Sequence, residues 1–268
     1  MIQKIPDLNP KNLFKLIFAL YMLLGMHYYL PNMGGRGLYL HYNVIGWIII
    51  SLIIGLGFWQ IICEGKIELT YFFNYSFLGF TLLALPLIYS NNELASWTYF
   101  RILGLLGGLL FYFSLLQFKL LKHERYIILY IILCGIFIES LLGILQYYFF
   151  QPNNWMGYNV SKNFPYGIFQ QRNIMGSFMA TGSAISLYLL QKDPDYIHNK
   201  LKLWLLLVIP LFSAIIIIGV KSKTAYLGYG LFLFLISFSI NWKRKWIRTW
   251  IALSIMGLII GLLSPMIF

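Results

Sequence analysis

Nine separate stretches of almost uninterrupted apolar sequence dictate what this chain can become; they lie near 13–30, 43–63, 70–90, 97–118, 126–148, 173–191, 203–220, 225–241 and 249–264. A helix rises 1.5 Å per residue, so stretches of this length cross a hydrocarbon layer of roughly 30 Å. Lipid offers no hydrogen-bond partner to backbone N–H or C=O groups, which restricts spanning segments to helices or closed barrels. No alternation of apolar and polar residues marks a strand. The expectation is an all-α, polytopic integral membrane protein with about nine transmembrane helices, forming a single transmembrane domain over residues 1–268. Composition agrees: 60% of residues are hydrophobic and only 10% charged, a balance that excludes an ordinary soluble domain. Pro86 and Pro210 fall inside apolar stretches, where neighbouring helices re-satisfy the carbonyl that proline frees.

The net charge of +12 reads as sidedness rather than as affinity for nucleic acid, and no nucleic-acid partner is expected. Fourteen of the twenty Lys and Arg residues fall in connections on the side of the N-terminus, which assigns that terminus to the cytoplasm. Arg36, Arg101, Lys162, Arg172, Lys221 and Lys223 fall on the opposite side, and nine crossings put the C-terminus there too. The first apolar stretch is too long for the core of a cleavable signal. Cys63 and Cys134 lie in apolar surroundings and do not suggest a disulfide framework. His27, His41, His123 and His198 lack metal-ligand spacing, so neither a metal nor another cofactor is expected. Tryptophans near the ends of the stretches, and the basic run 241–248, read as interfacial anchors to membrane lipids.

Chemistry concentrates at residues 164–182, FPYGIFQQRNIMGSFMATG, where a polar connection turns into an apolar helix. Gln170, Gln171, Arg172 and Asn173 stand side by side, followed by Gly176, Ser177, Ala180 and Gly182 at roughly helical spacing. Small residues admit a close neighbouring helix, and free N–H groups at a helix start suit an anion. Arg101 and Glu139 lie within apolar stretches, where a charge needs a partner or a wet cavity. Two readings stand for them: a structural Arg101–Glu139 pair, or the wall of a basic cavity open to the outer side.

At the outer connections the sequence resembles a family. Residues 31–47, PNMGGRGLYLHYNVIGW, resemble the N-terminal signature of bacterial protein glycosylation ligases, the pilin-type O-oligosaccharyltransferases of the O-antigen ligase superfamily. Residues 101–118 look like their next helix; residues 143–147 and 167–180 look like their Gln-x-Asn segment; residues 221–228, KSKTAYLG, look like the Ser-Arg-Thr turn that follows. The four likenesses are collinear.

The resemblance implies transfer of a preassembled oligosaccharide from a polyprenyl diphosphate carrier to a hydroxyl of a pilin-like acceptor protein, at the periplasmic face of a bacterial inner membrane. By motif position, Gln171 and Asn173 match the Gln-x-Asn pair, and Lys223 stands where the family has an arginine. Lysine keeps the charge but lacks the bidentate fork that suits phosphate. Lys223, Arg172 and Gln171 are therefore the expected catalytic residues, with Arg101, Asn173, Gln170, Ser222, Lys221 and Arg36 holding substrate. Family members continue into a large periplasmic loop that carries a histidine, and then into further helices. On this resemblance residues 1–268 correspond to the N-terminal portion only, expected to be an N-terminal fragment, a split or decayed gene, or a chain that works with a second polypeptide supplying the missing loop and its general base. Rival readings are an O-antigen ligase or polymerase with a lipid or glycan acceptor, and a transporter-like binder of lipid-linked glycan without enzyme activity.

Overall fold

The computed structural model describes residues 9–27, 41–85, 87, 95–149, 164–169, 171–238 and 242–267. Among them nine α-helices follow one another: α1 (Pro10–Leu23), α2 (His41–Glu64), α3 (Tyr71–Ala84), α4 (Ala95–Gln117), α5 (Lys122–Tyr148), α6 (Arg172–Lys192), α7 (Lys200–Gly219), α8 (Lys223–Ser237) and α9 (Lys245–Ile267). Short 3-10 turns stand at Gly25–His27, Gly167–Phe169 and Asp195–Ile197, and the described residues contain no strand. Each helix overlaps one of the nine apolar stretches. Five segments are long and apolar enough to cross a membrane: Val44–Glu64, Lys122–Tyr148, Arg172–Lys192, Lys200–Gly219 and Lys245–Leu263. Arg101–Gln117 and Lys223–Ser237 are shorter apolar helices. Pro210 is buried inside α7 as expected, whereas Pro86 lies outside the described residues.

The chain divides into two compact units, the first drawn from Met1–Tyr21 and Gly35–Lys122, the second from Met22–Gly34 and His123–Phe268. In the first unit α2 and α4 approach backbone to backbone. A Cβ added at Gly57 would lie 2.8 Å from the Ser114 Cα, and the ring of Trp47 fills the space a side chain at Gly107 would need. The connection before α3 is latched by Gln117, whose amide donates to the Glu68 carbonyl at 3.0 Å while its oxygen accepts the Glu68 N–H at 3.0 Å. Lys119 follows in a left-handed conformation, φ 45°, and reaches Glu64 at 2.8 Å and Glu68 at 2.9 Å. Those two hydrogen bonds hold its ammonium above the ordinary lysine range.

The second unit builds its core from α5, α6, α7 and α9, with Leu133, Ile136, Met179, Leu206, Ile209 and Trp250 fully buried. In a bilayer, lipid tails are as apolar as leucine, so close packing rather than escape from water must hold such helices together. Glycines supply it. A Cβ at Gly182 would lie 2.6 Å from Ile136, one at Gly261 would lie 2.8 Å from the Ile218 Cβ, and one at Gly257 would meet the Leu211 carbonyl. Gly257 and Gly261, four residues apart, set α9 directly onto the backbone of α7. Polar contacts add specificity, as where the Trp250 indole donates to Ser186 at 2.8 Å.

Candidate functional site

Three residues of α5 spaced four and three apart, Glu139, Gly143 and Gln146, fall on one helix face, and the two polar side chains are fully buried there. Both reach for the turn that precedes α6. Gln146 Oε1 accepts the N–H groups of Tyr166 at 3.1 Å and Gly167 at 3.0 Å, and Glu139 Oε2 accepts that of Ile168 at 3.3 Å. Three successive backbone donors are thereby satisfied, as buried N–H groups must be. Gly167 is required twice over: its φ is +56°, and a Cβ there would sit 2.6 Å from Glu139 Oε2. Gly143 leaves room for Met175 and Pro165, and Pro165 packs in turn on Gly219 at the end of α7, 3.3 Å from where a Cβ would stand.

Glu139 finds its ionic partner in His27, whose Nδ1 lies 2.6 Å from Oε1. The other ring nitrogen, Nε2, lies 3.0 Å from the Met22 carbonyl, which can only accept, so Nε2 carries a proton. A pair with Arg101 is one of two readings of Glu139, and within the second unit His27 takes that place. Arg101 is an exposed residue of α4 in the first unit, while Glu139 is satisfied within the second by His27 and Ile168. Sequence reasoning missed His27; the available signal was that an acid and a histidine in apolar stretches each need a partner.

Beyond the clamped turn, α6 begins at Arg172. Its N-cap, Gln171, is extended and makes no side-chain bond to the helix, while Gln171, Arg172 and Asn173 are all exposed. The Arg172 guanidinium lies 5.1 Å over the Phe164 ring, a cation–π contact back onto the turn. Alongside stands the start of α8. Ser222 caps it, accepting the Ala225 N–H at 3.3 Å, and shares a 2.9 Å hydrogen bond with Thr224. Ser222 is buried and serves the helix end; Lys221 and Lys223 on either side are exposed, Lys221 with φ 48°. A Cβ at Gly176 would lie 2.5 Å from the Ala225 Cβ, so the small residue expected to admit a neighbouring helix brings the two helix starts together.

Two positive helix ends and three cations therefore occupy one end of the second unit. Among the described residues no carboxylate pairs with Arg172, Lys221 or Lys223. Arg101 belongs to the first unit, and Gln170 and Arg36 lie outside the described residues. His123 opens α5 and His198 precedes α7, both at the opposite helix ends, and the side chain of His41 is not among those described. An arrangement of unpaired cations and N–H donors at adjoining helix starts suits a multiply charged anion.

Residues 165–190 match the family model described as a protein glycosylation ligase. The match opens on the clamped turn and runs through most of α6. No curated protein and no solved structure matches the chain. The likeness covers a short part of the 268 residues, and it implies in general a membrane enzyme that transfers glycosyl groups.

Proposed function

We propose that the chain binds a polyprenyl diphosphate-linked oligosaccharide at the adjoining starts of α6 and α8, for transfer to a hydroxyl of a pilin-like protein at the periplasmic face. The observation that carries this reading is the coincidence of the family match with the one described place where a buried clamp fixes a helix start beside three uncompensated cations. Cleavage of a sugar–phosphate bond leaves charge on the departing diphosphate. Cations and N–H donors held where that charge develops stabilise it most. Arg172 and Lys223 take this role, with Gln171, Asn173 and Lys221 as further contacts.

Sidedness supports the periplasmic placement. The end of the second unit opposite Arg172 gathers Arg125, Lys192, Lys200, Lys202, Arg244, Lys245 and Arg248, the excess that cytoplasmic faces hold. In this reading the N-terminus is cytoplasmic and nine helices cross an inner membrane.

Titration of detergent-solubilised protein with lipid-linked glycan tests the site. Arg172→Ala and Lys223→Ala should each weaken donor binding by about 1.5–3 kcal/mol, the range of charge-assisted hydrogen bonds, with melting temperature little changed. Lys223→Arg should bind at least as tightly as the parent, because guanidinium meets phosphate with two parallel bonds. Unchanged affinity in both alanine variants would remove the site.

A further inference from the structure

We propose that His27 and Glu139, with Gln146, are positioning residues for this site, holding the 166–168 turn so that the starts of α6 and α8 face one anion. The inference rests on the reading of that end as the diphosphate site. Glu139 stands nine residues before the end of α5, so a bare carboxylate there would lie ~14 Å inside an apolar helix. His27 neutralises it without withdrawing it from the turn. Oε1 is given to the imidazole, and Oε2 stays available to the Ile168 N–H.

Gln146 extends the same grip by two residues, and Gly143 between them lets Pro165 settle toward α5. Pro165 bears on Gly219, and the chain leads from there through Val220 to Lys221 and Lys223. Movement of this turn would therefore displace Arg172 directly and the lysines through the end of α7. His27 itself is not placed to accept a proton from an incoming hydroxyl. Both of its nitrogens are already engaged, by Glu139 and by the Met22 carbonyl.

Glutamine at position 139 separates positioning from proton transfer. Its oxygen can still accept the Ile168 N–H while its amide donates to Nδ1 of a neutral His27, so every hydrogen bond survives without the charge. The experiment measures amide exchange at Tyr166–Ile168 and binding of a polyprenyl diphosphate carrying no glycan, in full chain solubilised in detergent. Glu139→Ala should speed exchange of these amides and weaken binding, each about tenfold, the scale of one lost buried hydrogen bond. Glu139→Gln should return both to within about twofold of the parent.

Gln146→Ala leaves the ion pair intact and removes the acceptor for Tyr166 and Gly167. It should show the same two effects, and it serves in place of Glu139→Ala should that variant not fold. Binding by the parent that Gln146→Ala leaves unchanged, despite faster exchange, would overturn the positioning role alone. So would a Glu139→Gln variant that folds yet binds no better than Glu139→Ala. Failure of the parent to bind polyprenyl diphosphate would remove the site, and this inference with it.

Discussion

The two ends of the second unit treat charge in opposite ways. At the end where α6 finishes, Asp193 is buried and fully occupied: it accepts from Tyr130 at 2.9 Å and from the Asp195 N–H at 3.1 Å, and Lys202 lies 3.8 Å away. Tyr126 donates to the Lys192 carbonyl at 2.8 Å, and Arg244 donates to that of Gln191 at 3.0 Å, so the helix end itself is also satisfied. At the end where α6 begins, the buried acid divides its contacts between the His27 side chain and the Ile168 backbone, and the cations stay without carboxylates among the described residues. One end closes its polar groups upon themselves, as a structural joint does. The other fixes its backbone firmly and leaves its cations exposed.

The largest effect should come from breaking the ion pair beneath the open end. His27→Ala would leave Glu139 buried without its partner, a change that costs about 3–5 kcal/mol when a buried pair loses one member. Thermal unfolding in detergent should show that loss, and the surviving fold should bind donor more weakly because the turn is freed. A variant as stable as the parent would mean that Glu139 is neutral without His27.

A smaller effect should follow at the closed end. Asp193→Ala strands the Tyr130 hydroxyl and the Asp195 N–H, at about 1–3 kcal/mol for an unsatisfied buried group. Donor affinity should stay within about twofold of the parent, because Asp193 lies at the opposite end of α6 from Arg172. Equal losses of donor affinity in His27→Ala and Asp193→Ala would show that the two ends are not separable and that binding merely tracks stability.

Much of the helical scheme was legible, because apolar stretches and lipid leave little choice: all nine described helices overlap the expected stretches. Gly176 and Gly182 were legible as close-approach positions, while the Gly257–Gly261 pair carried the same signal and went unread. That Arg172 and Lys223 open helices was legible from the places where polar connections turn into apolar stretches. Their supporting shell was not. Glu139 pairs across 112 residues with His27 and holds a turn 29 residues away, and such partnerships follow from how helices pack, which periodicity does not encode. Ser222, expected from its place in a motif to contact substrate, also caps α8, a role its position before an apolar stretch could have signalled.

The finest test uses the two lysines with positive φ, which are the non-glycine residues of that conformation among the described ones. A left-handed φ costs an L-residue about 1–2 kcal/mol that glycine avoids, though glycine gives back part of this in chain entropy. Lys119 of the first unit is tied to Glu64 and Glu68, whereas Lys221 has no carboxylate partner among the described residues. Lys119→Gly should therefore be close to neutral, since exposed ion pairs contribute little and the relief of strain offsets their loss. Lys221→Gly loses no pair, so it should raise stability by up to about 1 kcal/mol. Yet it removes one of three cations from the open end, and donor binding should weaken as stability improves. Opposite signs in the two measurements on one variant are what a residue kept for its charge, at some cost to the fold, would give. A Lys221→Gly protein that is more stable and binds donor as tightly as the parent would strike Lys221 from the site and leave Arg172 and Lys223 to hold the diphosphate.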